Sequence, residues 1–196
     1  MDVMNEDQLA YWDGEAGATW VRNQIHLDQL LGPFTQALMT GAGNVSGKAI
    51  LDLGCGCGET ALRLAEQGAE VIGIDLSREM LAHANQRRGA KANPEFHQAD
   101  GAVFTAERPF DLIVSRFGVM FFNDPEPALR HLRSLLKPDG ELLLACWQAP
   151  TLNPWMSVGG RAIAPFLPPS SEVRDPKAPG PFAFSDQTYV AGLLAR

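Results

Sequence analysis

The chain lacks any run of about 18 apolar residues, the length a helix needs to cross a bilayer, so a membrane span is excluded at the outset. It also lacks a secretory leader pattern. Met1-Asp2-Val3-Met4-Asn5-Glu6-Asp7 is acidic and polar where such a leader carries basic and then apolar residues, and the reading is a cytoplasmic protein. No run of Lys or Arg could follow a phosphate backbone, and the net charge of −7 works against a nucleic-acid partner. Cysteine is scarce as well. Three residues, Cys55, Cys57 and Cys146, form no disulfide framework and fit a reducing compartment. With only Cys146 and the scattered His26, His83, His97 and His131 to complete a four-ligand zinc site, Cys55 and Cys57 are better read as small side chains filling a tight turn. Disorder is excluded too, because 45% hydrophobic and 20% charged residues are ordinary for a packed domain.

What is present is order along the chain. From Gln8 to Met39 apolar residues recur at intervals of three and four, with breaks expected at Asp13-Gly14 and at Gly32-Pro33, so two or three helices precede the core. The breaker-rich stretch 41–47 reads as a loop. Short apolar runs then alternate with helical patterns. Strands are expected over 49–53, 70–74, 95–98, 112–115 and 141–147, and helices over 59–67, 78–88 and 127–136, the last stopped by Lys137-Pro138-Asp139-Gly140. Such alternation implies an α/β fold with a doubly wound parallel sheet and right-handed crossovers. Residues 148–196 are rich in proline and leave room for a short helix near 155–166 and a last one over 186–194. One domain is expected, with helices in 1–47, an α/β core in 48–147 and the proline-rich remainder in 148–196.

The chemistry gathers at strand ends. The first strand runs into Gly54, Gly56 and Gly58, where backbone can approach a ligand at the positively polarised start of the next helix. A dinucleotide fingerprint wants glycines at its first, third and sixth positions; here they alternate, and Glu59 would repel a pyrophosphate. Asp75, at the end of the second strand, can accept both hydroxyls of a ribose, or else cap the next helix, which Ser77 could do instead. Asp100 ends a third strand. Open α/β sheets bind ligands at this carboxyl edge.

Taken as a series, Ile50 to Gly58, Gly73-Ile-Asp-Leu-Ser77 with Met80, Leu81 and Ala84, Ala99-Asp100, Phe110 to Ser115 and Leu136 to Gly140 resemble the class I S-adenosylmethionine-dependent methyltransferases. The similarity covers about residues 8–147 and extends to small-molecule members such as the quinone-biosynthesis enzymes. It implies S-adenosyl-L-methionine as cofactor. The Gly54–Gly58 turn would receive the methionine end, Asp52 the ammonium, Asp75 the ribose, Asp100 and the Gly101 amide the adenine edge, and Leu76 and Met80 its faces. Ser115, with Arg116 and Phe117, would lie beside the sulfonium and acceptor, and the N-terminal helices with Trp12 and Trp20 would form a lid. Catalytic residues are unassigned; His97, His131 and Asp124 are the candidates for a base. Motifs of the DNA, cytosine-5 and protein-arginine enzymes are absent, and Phe117 to Phe122 is apolar, which suits a small, partly hydrophobic acceptor. The family's final antiparallel strand pair is missing from the pattern, so the fifth strand is expected at an open edge where two copies could pair. The competing readings are a non-catalytic cofactor-binding module and a nicotinamide-dependent oxidoreductase.

Overall fold

The apolar runs that alternate with helical patterns do pair side by side. A computed structural model, which describes residues 4–167 and 175–195, has a five-stranded parallel sheet in the order β3-β2-β1-β4-β5. Its strands are β1 (Ala49–Leu53), β2 (Glu70–Asp75), β3 (Glu95–Gln98), β4 (Phe110–Arg116) and β5 (Leu136–Ala145). Helix α4 (Glu59–Glu66) links β1 to β2, and α5 (Arg78–Arg88) links β2 to β3. The chain reverses direction across the sheet after β3, so the tips of β1 and β4 lie side by side at a topological switch point.

Every residue of β1 is buried because both sheet faces are covered. On one face Ile50, Val71, Leu112 and Val114 pack with Leu64 of α4 and Met39 of α3 (Gln24–Ala42). On the other, Leu51, Leu53 and Ile113 pack with Leu132 of α6 (Pro125–Ser134) and Leu193 of α8 (Gln187–Leu194). Truncating a fully buried side chain such as Leu51 to Ala would cost about 2–5 kcal/mol through lost burial and an unfilled cavity.

Three expectations are corrected. Pro33 does not end a helix: α3 continues through it to Ala42. Proline removes the hydrogen bond to the carbonyl of Gln29, but both residues are exposed, so water can serve that carbonyl while Leu31, Thr35 and Leu38 bury the other face. The Lys137–Gly140 stretch lies inside β5, not before it. Leu136 already pairs with Phe110, the register then shifts, and Arg133 donates to the carbonyls of Lys137 and Pro138, so the four residues form an irregularity within the strand. The strand also ends at Ala145, short of Trp147. The break at Asp13-Gly14 is present, between α1 (Glu6–Trp12) and α2 (Glu15–Arg22). In the proline-rich segment, α7 (Pro154–Ile163) and α8 form where helices were expected, α8 capped by Asp186. Pro168 and Pro169 of that segment, and Met1 to Val3 of the acidic N-terminus, lie outside the described residues. Among the described residues, β5 is an edge strand and no helix is long and apolar enough to cross a membrane.

Candidate functional site

The turn after β1 is shaped by its glycines. Gly54 has a φ of 67° and donates to the carbonyl of Ile74; a β-carbon there would come within 2.9 Å of the Gly118 backbone at the tip of β4. Only two glycines let these strand tips approach so closely. Gly56, with a φ of 54°, donates its N–H to Asp75 Oδ2 at 2.8 Å, and the other Asp75 oxygen accepts from Ser77 N at 2.9 Å. Ser77 itself caps α5, accepting from Met80 N at 3.3 Å. Cys55 and Cys57 are buried and free, and burial pushes the Cys57 thiol up to about 12. They are protonated packing residues, and among the described residues no cluster of metal-ligating side chains exists.

Above this turn lies a cavity of about 310 Å³ that reaches from the strand tips to an aromatic wall. Asp52, Gly54, Gly56, Asp75, Leu76 and Met80 line it, as do Trp20, Asp100 and Gly101. Asp52 is 1% exposed, its Oδ2 has no hydrogen-bond partner, and burial raises its carboxyl to about 7 in spite of the nearby Arg116 charge and the Ala61 N–H. An orphaned buried acceptor in a residue of the cavity wall leaves a hydrogen bond to be made. Asp75 is likewise pushed up by burial, against the N–H groups that hold it.

Two expected site residues differ from their sequence-based placement. Ser115 is fully buried and does not line the cavity. Its hydroxyl donates to the Leu53 carbonyl at 2.8 Å and accepts from Gly118 N at 3.2 Å, bracing the two strand tips. Asp100 lines the cavity, but its carboxylate already accepts four hydrogen bonds, from Met4 N (2.9 Å), Asn5 N (3.0 Å), Asn5 Nδ2 (2.7 Å) and Ala102 N (2.9 Å). Asn5, 3% exposed, also accepts from Asn123 N at 2.7 Å, so it ties the N-terminal segment to two strand-tip loops. Helix α2 is drawn in next to it. Gly17 packs against Ser77, and Asp13 accepts from the backbone and side chain of Arg78, which places Trp12 and Trp20 over the cavity.

Sequence reasoning missed the ion-pair cluster under the cavity and, in the aromatic wall, Phe34, Trp147 and Trp155. Glu59 does not stand as a lone anion: it pairs with Arg63 and Arg87 at 2.6 Å each. Burial would raise its carboxyl, but hydrogen bonds from Arg87 and Arg63 outweigh it and keep Glu59 low. The like-charge argument against a pyrophosphate therefore weakens, while the glycine spacing still stands. Asp28 of α3 joins the same cluster, 3.0 Å from Arg87, and is pushed up by burial and by the Glu59 charge. No local motif marks Asp28, which reaches the site only because α3 crosses the strand tips. At the far end, Phe117 adopts a φ of 67°, rare for a residue with a β-carbon, and its ring stacks on Trp147 with centroids 4.2 Å apart. Phe34 and Trp155 meet Trp147 edge-on, and Phe121 meets Trp12 in the same way. The three base candidates stay outside: His97 and Asp124 are exposed, and His131 Nε2 lies 2.7 Å from the carbonyl of Phe104.

Residues 50–140 match a family model described as a methyltransferase domain. An uncharacterized Mycobacterium tuberculosis protein, Rv1405c, is 28% identical over 90% of this chain, which spans 64% of that relative's length. The demethylmenaquinone methyltransferase of Renibacterium salmoninarum is 26% identical over 86% of this chain and 70% of its own. In three dimensions, the magnesium protoporphyrin IX methyltransferase of Synechocystis with bound SAH aligns with a TM-score of 0.64 and 22% identity, covering 87% of this chain and 82% of that one. A five-stranded parallel sheet with a glycine turn at its switch point thus accompanies the match of residues 50–140 to a methyltransferase domain.

Proposed function

We propose that the protein binds S-adenosyl-L-methionine at the strand tips and transfers its methyl group to a small, partly hydrophobic acceptor held against the aromatic wall. The observation that carries this reading is one cavity lined by residues of both ends, Phe117 and Gly118 among them. When bound, S-adenosylmethionine supplies a methyl group on a sulfonium that leaves as a neutral thioether once an acceptor atom attacks. The chain's own work is then alignment and exclusion of water. Asp75 accepts the ribose hydroxyls, Leu76 and Met80 flank the adenine, and Trp12 and Trp20 close the cavity from above. Asp100, with its carboxylate committed to the N-terminal segment, serves the adenine by shaping the loop that presents Gly101. Buried free thiols suit the cytoplasm, and pairing of two copies along β5 is compatible with its open edge.

Calorimetric titration with S-adenosylhomocysteine tests the cofactor half. Binding by the folded wild type and its loss in Asp75→Ala are expected, and absence of binding would overturn the reading. Transfer of a labelled methyl group to a panel of quinols, phenols and amines tests the other half. Intact cofactor binding with no transfer to any of them would favour a non-catalytic module, and NAD(H) binding in place of S-adenosylhomocysteine would favour an oxidoreductase.

A further inference from the structure

The charges of this chain are unevenly spread. It carries 23 Asp and Glu and a net charge of −7, yet from Gln148 to Leu167 there is no acidic side chain and a single basic one, Arg161. The same stretch concentrates apolar surface. Leu152, Trp155, Val158, Ile163, Phe166 and Leu167 are each more than half exposed, and no residue of α7 is buried. Within α7 the helical spacing sorts the side chains: Trp155, Val158 and Ala162 share one face, Ser157 and Arg161 another.

A second apolar edge comes from α3. Leu30 and Phe34, one turn apart, are 56% and 38% exposed. Phe34 and Trp155 both meet the ring of Trp147 edge-on, with centroids 5.0 and 5.5 Å away, so α3 and α7 converge on one buried tryptophan. Leu30, Trp147, Trp155 and Met156 also line the cavity. The exposed apolar surface is therefore continuous with the cavity wall at its aromatic end, and a patch of this extent marks an interaction site.

Charge selects the occupant. An acidic protein is repelled by an anionic membrane surface except where it offers a face without carboxylates, and residues 148–167 supply such a face, with Arg161 beside the apolar side chains as on helices that lie in the plane of a bilayer surface. A second copy seated on the same residues would lie across the aromatic end of the cavity. We propose that α7 with residues 164–167, together with Leu30 and Phe34, is a docking face for an anionic lipid bilayer. The apolar side chains enter the boundary between headgroups and acyl chains, Arg161 stays among the phosphates, and the aromatic end of the cavity opens onto the membrane. The chain lies on the bilayer without a described helix that spans it. This docking is independent of what the cavity holds.

Flotation of the full chain with vesicles of phosphatidylcholine and phosphatidylglycerol tests it. Wild type should float with the vesicles, and Val158→Asp should lose at least about tenfold in partitioning. Arg161→Ala should lose about fivefold, the worth of one basic side chain near an anionic surface, and change little on phosphatidylcholine alone. Val158 and Arg161 are exposed and do not line the cavity, so both variants should keep the wild-type melting temperature and S-adenosylhomocysteine affinity. If Val158→Asp fails to fold, Phe166→Ser, at a residue 86% exposed, reads the same loss. Wild type that stays off the vesicles, or a folded Val158→Asp that floats as well as wild type, overturns the proposal. A wild-type dimer in sedimentation velocity that Val158→Asp splits gives the patch to a second copy and overturns it too. Wild type that floats but binds no S-adenosylhomocysteine supports the docking face and refutes the cofactor reading alone.

Discussion

The strand-tip end of the cavity is made from three short stretches, around residues 52–60, 75–80 and 100–101, each leaving a parallel strand. The aromatic end draws Trp12, Phe117, Phe121, Trp147 and Trp155 from separate places along the chain. The first end is held by hydrogen bonds between backbone and buried carboxylates, such as Gly56 N to Asp75 and Ser77 N to Asp75. The second is held by ring contacts, one of them with a strained backbone at Phe117. A ligand end made by strand tips is specified locally and leaves a motif. A ligand end made by packed rings is specified by the whole fold, and can change its acceptor without disturbing the cofactor.

The largest expected effect falls on the polar end. Asp75→Ala removes a buried acceptor, and calorimetry should show S-adenosylhomocysteine affinity falling by at least about 100-fold, with about 1–3 kcal/mol of folding stability lost as the N–H groups of Gly56 and Ser77 go unpaired. An Asp75→Ala protein that binds as well as wild type would break the contrast between the two ends.

Next is the proton on Asp52. Its carboxyl is raised to about 7 in the folded protein and titrates near about 3.9 when unfolded, so the fold holds the extra proton between those values. Stability from this group is full below about pH 4 and is lost as pH rises through about 7; Asp52→Asn should flatten that slope in thermal melts from pH 4 to 8. An ammonium beside Asp52 favours its ionised form. S-adenosylhomocysteine affinity should therefore rise with pH between about 5 and 7 and level off above that. A flat profile over that range, with no proton release on binding, would remove Asp52 from the site.

At the aromatic end the effects are smaller. Phe117→Ala loses the stack on Trp147 but keeps the left-handed backbone, whereas Phe117→Gly loses the stack and relieves the strain. The glycine variant should be the more stable of the two by about 1 kcal/mol in denaturant titrations, and the reverse order would show that the backbone at 117 carries no strain. Smallest in folding terms is Trp155→Ala. Its ring is 51% exposed, so stability should change by no more than about 0.5 kcal/mol and cofactor affinity should hold, while kcat/KM for the acceptor drops severalfold. A loss of cofactor affinity instead would mean the two ends are not separable.

The parallel sheet was legible because strands buried on both faces must read as apolar runs, and crossover helices must separate them. Ile50-Leu51, Val71-Ile72 and Leu112-Ile113-Val114 carry that signal. The glycine turn, Asp75 and the loop at Asp100 were legible because each sits within a residue or two of a strand end, where placement follows from chain order. Pro33 and the Lys137–Gly140 stretch misled because proline and glycine report local preference, and packing of α3 and pairing of β5 with β4 override it. Asp28, Asn5 and Trp147 carried no signal at all.

For the glycine turn at 54–58 and the aspartates that follow, the sequence alone determined that they gather at the carboxyl edge of a doubly wound sheet, since alternation of runs fixes the fold and strand ends fix the edge. Only the tertiary structure decided how each polar group is spent. Asp100 is taken by the N-terminal segment, Ser115 is turned into a brace, and Arg116 is left with free donors beside an unpartnered Asp52. A side chain's chemistry is written in the sequence, but its remaining hydrogen-bonding capacity depends on neighbours that arrive from distant parts of the chain.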